Sequence, residues 1–227
     1  MTRFNTQGII LSRTNYGEAD RILTILTPNH GKVKAIAKGV RKAKAKLAGS
    51  IELFSLLDVT VLPGRGEIDT LLTARLVKHY GNIVKDTERT KLAYELLKLI
   101  DKNTPEHPEP EYFSVLDAAL ASLNEKELEP QLTELWFKLQ LLKLSGQAPN
   151  LTHDTNGEKL KENVRYNFDI QKMAFVENSK GYYGTNEIKV FRLMITSSGP
   201  GFWLRFQNIP ILLMKNCQRF LAGFDDF

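Results

Sequence analysis

Five short strand-like segments fill the first 80 residues, and their close spacing limits the fold more than any other feature of the chain. They are residues 8–13, 21–26, 33–38, 53–62 and 67–73. Turn-forming residues separate them, most clearly Pro28–Gly31 and Pro63–Gly66. Strands this short and this closely spaced cannot build a large sandwich. They favour a small closed or nearly closed barrel such as the OB-fold.

The hydrophobic period changes to that of helices after residue 80. Leu92, Leu96, Leu97 and Ile100 recur at helical spacing, and further helices are predicted over 112–123, 132–142, 186–195 and 208–221. Residues 164–170 and 172–177 predict a β-hairpin. We therefore predict an α+β protein. Its five-stranded OB-fold barrel occupies residues 1–80, and a mainly α-helical domain occupies residues 81–227, with a small hairpin insertion in the irregular region 150–185.

Composition narrows the class of protein. A hydrophobic fraction of 42% and a charged fraction of 25% are typical of an ordinary globular protein. No run of about 20 apolar residues is present and the N-terminus lacks a secretory signal, so a cytoplasmic location is expected. The single cysteine, Cys217, excludes an intramolecular disulfide and a zinc site built from several thiolates of this chain.

Positive charge is concentrated at the N-terminus. Residues 1–80 contain 13 Lys and Arg against 6 Asp and Glu, whereas residues 81–227 contain 18 against 20. No acid interrupts residues 21–51, and seven cations fall within residues 32–46. Such a run is compatible with a solvated loop. Because like charges repel, however, it favours a site for a polyanion, for which single-stranded nucleic acid on a small barrel is a good candidate.

Alternation along residues 33–38 places Lys32, Lys34 and Lys38 on the strand face opposite Val33, Ala35 and Ala37. The predicted DNA-binding residues are Arg13, Arg21, Lys32, Lys34, Lys38, Arg41, Lys42, Lys44, Lys46 and Arg65. Aromatic residues are few in this region: Phe4, Tyr16, Phe54 and Tyr80. We therefore expect binding that depends mainly on phosphates, weakens steeply with salt and shows little sequence preference.

No catalytic motif is recognisable in the sequence. Phosphate-loop, dinucleotide-binding, nucleophile-elbow and zinc-protease patterns are absent, and Gly64-Arg65-Gly66 is interpreted as a turn. None of the histidines, His30, His79, His107 and His153, is four residues from another. The protein is therefore predicted not to be an enzyme. Trp136 lies on the apolar stripe of a predicted helix, where core packing is expected.

Several N-terminal segments resemble the RecO family of DNA-repair proteins. They are Gly8–Leu11, Tyr16–Thr24, Gly31-Lys32, Ala37–Arg41, Leu47–Gly49 and Gly64–Glu67, with weaker likeness in 116–120 and 141–151. The resemblance implies an N-terminal OB-fold and a helical C-terminal domain. It also implies binding and annealing of single-stranded DNA, and cooperation with RecR and single-strand-binding protein in loading RecA, near the bacterial nucleoid.

The sequence departs from the family at its zinc site. Many relatives carry four zinc-binding cysteines after a segment like residues 146–151, whereas His153–Gly157 here offers none. No cofactor or metal is therefore expected. A groove in the helical domain is expected to accept the acidic, aromatic-ended tail of single-strand-binding protein. The candidate partner-binding residues are Lys138, Arg192, Trp203, Arg205 and Lys215.

An RNA-binding or ribosome-associated OB-fold module remains the alternative. A basic barrel binds either nucleic acid through the same phosphates, so composition does not separate the two.

Overall fold

The structure is a computed structural model that describes residues 2–42, 47, 49–105, 108–197, 199, 215–216 and 219–220. The chain divides into two compact units, Met1–Lys126 and Glu127–Phe227. The boundary that the sequence patterns place near residue 80 stays a prediction. Within the described ranges, no helix is both long and apolar enough to cross a bilayer.

Five strands of the first unit form a closed barrel with the order β1-β2-β3-β5-β4. Their bounds are Phe4–Tyr16 (β1), Asp20–Thr27 (β2), Gly31–Ala37 (β3), Ser55–Leu62 (β4) and Asp69–His79 (β5). All neighbours pair antiparallel except β3 and β5, whose short parallel contact closes the barrel. The predicted five-stranded OB-fold barrel is confirmed, although β1 and β5 are longer than predicted.

The barrel interior is filled by alternate residues of the strands. Its core includes Ile10, Leu23, Ile25, Leu57 and Val61, all fully buried. Burying one such side chain contributes about 1.5–3 kcal/mol relative to leaving it exposed. The period-two pattern in the sequence is therefore the direct cause of the barrel, because each strand supplies one apolar side to a shared interior.

Two helices of the predicted helical region pack with the barrel in the first unit. They are α1 (Thr87–Asn103) and α2 (Pro110–Asn124), and Asp86 caps α1 by accepting a hydrogen bond from the Arg89 N–H. The fully buried Tyr80, next to the end of β5, donates its hydroxyl to Asp117 of α2 at 2.5 Å. Burial and the Asp117 carboxylate raise the pKa of Tyr80 far above its usual range.

Arg89 is a buried cation that fixes the end of α2. Its guanidinium donates to the backbone carbonyls of Leu123, Glu125 and Lys126 at 2.9–3.0 Å. Only 8% of Arg89 is exposed. The carbonyls at a helix C-terminus have no partner within the helix, so the arginine supplies donors to the buried Leu123 carbonyl and to the partly buried carbonyls of Glu125 and Lys126.

The second unit combines two helices with a small sheet. Its elements are α3 (Pro130–Leu144), β6 (Asn150–Asp154), β7 (Tyr166–Asp169), β8 (Ala174–Glu177) and α4 (Thr185–Thr196), and the sheet order is β6-β8-β7. The predicted hairpin is present as β7 and β8, but the parallel strand β6 was not predicted. Most of the predicted helix 208–221 lies outside the described residues, although 215–216 and 219–220 are helical.

An aromatic cluster holds the small sheet and α4 together. Phe175 is fully buried and lies 5.1 Å from Phe168 and 5.7 Å from Tyr183, measured between ring centroids. Phe191 of α4 stacks on Phe220 at 4.4 Å. Pairs of aromatic rings add stability beyond the burial of their area. The described part of region 150–185 is thus held by packed rings and backbone hydrogen bonds.

Candidate nucleic-acid interface

Strand β3 carries the first part of the basic run on the outside of the barrel. Burial alternates along Gly31–Ala37, with Val33, Ala35 and Ala37 facing the core. Lys34 is exposed between them, and Lys38 is exposed directly after the strand. The predicted alternation is present, and it turns both lysines away from the interior.

Lys32 lies on the same side but is already engaged. Its ammonium donates to the Asp101 carbonyl at 2.6 Å and lies 3.4 Å from the Asp101 carboxylate. Asp101 belongs to the last turn of α1, where a cation is favoured by the unpaired carbonyls. Lys32 therefore links β3 to α1, and its side chain is only 26% exposed.

Strand register identifies the residues that surround Lys34 and Lys38. Directly opposed residues of antiparallel strands share a side of the sheet. Lys34 is opposite Thr24, which is opposite Ser12, and Ile36 is opposite Ile22, which is opposite Thr14. At the end of the sheet Tyr16 is opposite Asp20. We call this outer surface the strand face: Ser12, Thr14, Tyr16, Asp20, Ile22, Thr24, Lys34 and Ile36, together with Lys38 directly after β3.

The turn at the end of the strand face is fixed by hydrogen bonds to the chain that follows β3. The Arg41 guanidinium donates to the Gly17 carbonyl at 3.2 Å, and the Arg41 backbone N–H donates to the Ala19 carbonyl at 2.9 Å. The Gly39 N–H donates to the Asp20 carboxylate at 2.7 Å. These contacts bring Lys38, Arg41 and the exposed Lys42 to the end of the strand face next to Tyr16.

Arg13 and Arg21 lie on the opposite side of the same strands. Arg13 is opposite Leu23, and Arg21 is opposite Ala37; both partners face the barrel interior. Arg13 donates to the Ile51 carbonyl at 3.2 Å and pairs with Glu52, while Arg21 donates to the Asn15 side chain at 3.1 Å. The structure therefore does not bring these arginines together with Lys34 and Lys38 on one surface.

The remaining predicted DNA-binding residues fall on loops. Arg65 is exposed in the loop between β4 and β5. That loop leads into Asp69 and Thr70, which pair with β3 residues Ala35 and Ile36. Lys44 and Lys46 lie outside the described residues, so their place relative to the strand face stays a prediction.

The candidate partner-binding residues lie in the second unit, and the structure describes three of the five. Lys138 pairs with Glu134 at 3.0 Å and is only 13% exposed, and Arg192 donates to the Leu151 carbonyl at 2.7 Å. Lys215 is exposed. Trp203 and Arg205 lie outside the described residues. The contacts of Lys138 and Arg192 within the second unit leave the peptide groove a prediction.

Trp136 is confirmed as a core residue. Its side chain is 1% exposed, and its indole N–H donates to the Ser197 carbonyl at 3.3 Å. A buried indole needs such a partner for its polar edge.

Clusters of metal-binding side chains were sought among the described residues. No group of three or more His, Cys, Asp and Glu among them is placed to hold an ion. The Asp154 carboxylate accepts from the Asn156 and Glu158 backbone N–H groups and so closes a local turn.

The sequence did not reveal the 2.9 Å contact between the Ser55 hydroxyl and His79 Nδ1, which joins residues distant along the chain. Because Ser55 is fully buried, its hydroxyl is not presented to a substrate.

Fold and surface together define a class: an OB-fold barrel with a cationic outer face, followed by helices and a small sheet. Within that class the chain belongs to the RecO family. The model described as "Recombination protein O N terminal" matches residues 1–80, and the one described as "Recombination protein O C terminal" matches residues 84–182.

Curated relatives agree with the family models. The chain is 34% identical over 165 residues to a DNA repair protein RecO from Dehalococcoides mccartyi, covering 72% of this chain and 64% of the relative. It is 35% identical over 154 residues to one from Bifidobacterium longum, covering 66% and 64%. For one from Myxococcus xanthus the identity is 35% over 150 residues, covering 66% and 61%. The matched part therefore spans less than two thirds of these relatives.

Proposed function

We propose that the chain is a non-enzymatic DNA-repair protein that binds and anneals single-stranded DNA. The observation that carries this proposal is the strand face, where Lys34 and Lys38 project from an OB-fold sheet and Arg41 and Lys42 follow at its end. OB-folds bind oligonucleotides on this part of the barrel. The names of the relatives, DNA repair protein RecO, support DNA repair as the setting.

The mechanism is electrostatic and sequence-tolerant. The exposed lysines bind phosphates, and counterions released from the strand supply much of the free energy of binding. Phosphate contacts carry no direct information about sequence. Annealing follows if neutralising the backbone lets two complementary strands approach each other. No bond is made or broken, so the protein needs no nucleophile, base or metal for this role.

Partners are part of the proposal. By analogy with its family, the chain acts with RecR and helps to load RecA on DNA coated by single-strand-binding protein. The second unit is the proposed site for partner proteins. A pull-down with intact single-strand-binding protein and with its tail-deleted form tests this assignment. We expect retention of the intact form alone, and equal retention of both forms would contradict a tail-directed contact.

Fluorescence anisotropy with a labelled single-stranded oligonucleotide tests the central claim. We expect sub-micromolar affinity at low salt, a linear fall of log affinity with log salt, and faster annealing of complementary oligonucleotides. Competition with RNA of the same sequence separates the RNA-binding alternative. Affinity weaker than micromolar at low salt, or a strong preference for RNA, would contradict the proposed function.

A further inference from the structure

Tyr16 is the aromatic residue of the barrel whose ring is presented to solvent. The barrel segment contains only four aromatic residues. Phe54 and Tyr80 are buried, and Phe4 stacks on His30 at 4.0 Å. Tyr16 is 55% exposed, and within the described part of the chain its ring has no aromatic or cation–π partner. Folding of the barrel therefore leaves this ring available to a ligand.

Its position on the strand face makes the ring relevant to nucleic acid. Tyr16 is the last residue of β1 and is opposite Asp20, whose carboxylate accepts from the N–H of Gly39, the residue after Lys38. Neighbouring strands are about 4.8 Å apart, so β1 and β3, on either side of β2, are separated by roughly 10 Å, and Tyr16 and Lys38 lie at the same end of them. That distance matches a ligand with a flat ring at one end and an anionic group at the other.

The backbone that carries the ring is held in place before any ligand binds. Gly17 follows with a φ of +55°, a left-handed conformation that glycine adopts at little cost. Arg41 donates to the carbonyls of Gly17 and Ala19, and Asp20 accepts from Gly39. A ring on a turn fixed by three hydrogen bonds to the chain after β3 loses little backbone entropy on binding, which favours affinity.

We infer that Tyr16 stacks on a base of the bound single strand while Lys38 contacts a phosphate of the same or the next nucleotide. This inference rests on the proposed function and adds a base contact to a site that the sequence predicted to depend mainly on phosphates. Every base has a flat π-face, so stacking on tyrosine keeps binding tolerant of sequence.

The experiment compares a thymine oligonucleotide with an abasic one of the same length and phosphate number. The full chain and the Tyr16→Ala, Tyr16→Phe and Tyr16→Trp variants are measured by anisotropy with both. We expect Tyr16→Ala to weaken binding of the thymine strand by about 5- to 150-fold and to leave the abasic strand unchanged. Tyr16→Phe and Tyr16→Trp retain the affinity of the original chain.

Tyr94→Ala is the matched control, because Tyr94 is 51% exposed on α1 and its ring packs edge-on against Phe54 at 5.0 Å. It is expected to bind both strands as the original chain does. Equal affinity of the original chain for both strands, with no effect of Tyr16→Ala, would overturn the stacking inference. Salt-dependent binding in that outcome would leave the proposed function intact. Absence of binding to either strand at low salt would overturn both.

Discussion

The double substitution Lys34→Gln and Lys38→Gln is the most direct test of the strand face. Both ammonium groups are exposed and project from the outside of the barrel, so their removal leaves the core untouched. For single strands, each neutralised phosphate contributes about 0.7 to the slope of log affinity against log salt. If each lysine neutralises one phosphate, the slope falls by about 1.4. Affinity then falls by roughly 25-fold at 0.1 M salt and by about tenfold at 0.2 M.

The assay is anisotropy with one labelled thymine oligonucleotide at four or more salt concentrations. The matched control is Arg13→Gln with Arg21→Gln, which removes the same charge from the neighbouring strands β1 and β2, on the opposite side of the sheet. Melting curves establish that all variants are folded. We expect the control to keep the original slope. A reduced slope in the arginine variant with an unchanged slope in the lysine variant would refute the strand face as the binding surface.

Three further substitutions and one metal-removal measurement concern stability. Arg89→Met should lower the free energy of unfolding by about 2–4 kcal/mol in a urea titration, because the buried Leu123 carbonyl and two partly buried carbonyls lose their donor. A loss below 0.5 kcal/mol would contradict this role. Burial raises the pKa of Tyr80. The contribution of its protonated hydroxyl to the free energy of unfolding is therefore complete below the ordinary tyrosine pKa of about 10 and declines as pH rises above it. Tyr80→Phe should remove this decline from melting curves measured up to alkaline pH. Phe175→Ala should lower the free energy of unfolding by about 3–5 kcal/mol. A chelator should leave the melting temperature of the original chain unchanged.

The barrel was predictable because its period-two pattern and turns are local signals. Strand positions were recovered, but strand lengths were not: β5 extends to His79, whereas the pattern ended near residue 73. Residues at the end of β5, such as Leu76 and Val77, are exposed and apolar on both sides, so alternation no longer marks the strand. The parallel strand β6 has only five residues and pairs with β8 across a long connection, which no local signal reveals.

The candidate site was predictable in charge but not in arrangement. Alternation correctly placed Lys34 on the outside of β3. The side occupied by Arg13 depends on a register shift in β1 between Ile10 and Ser12, which reverses the alternation that a regular strand would have. The engagement of Lys32 depends on Asp101, 69 residues away. Such relations arise from tertiary packing, so the position of a cation in the basic run does not by itself show whether its side chain is free to bind a ligand.

The family resemblance itself has a structural explanation at the end of the strand face. Two of the matched segments, Tyr16–Thr24 and Ala37–Arg41, contact each other through the bonds of Arg41 and Gly39. Gly17 and Gly39 both have positive φ, so each segment also contains a backbone conformation that favours glycine. The resemblance therefore reflects the geometry of a turn as much as a set of phosphate ligands.

Arg41 has a positioning role in addition to its charge. Arg41→Gln should weaken DNA binding by more than the loss of one charge, because the turn that holds Tyr16 also loses the guanidinium donor. Arg41→Lys, which keeps the charge but not the geometry of the guanidinium, separates the two contributions, and full affinity in that variant would show that charge alone matters.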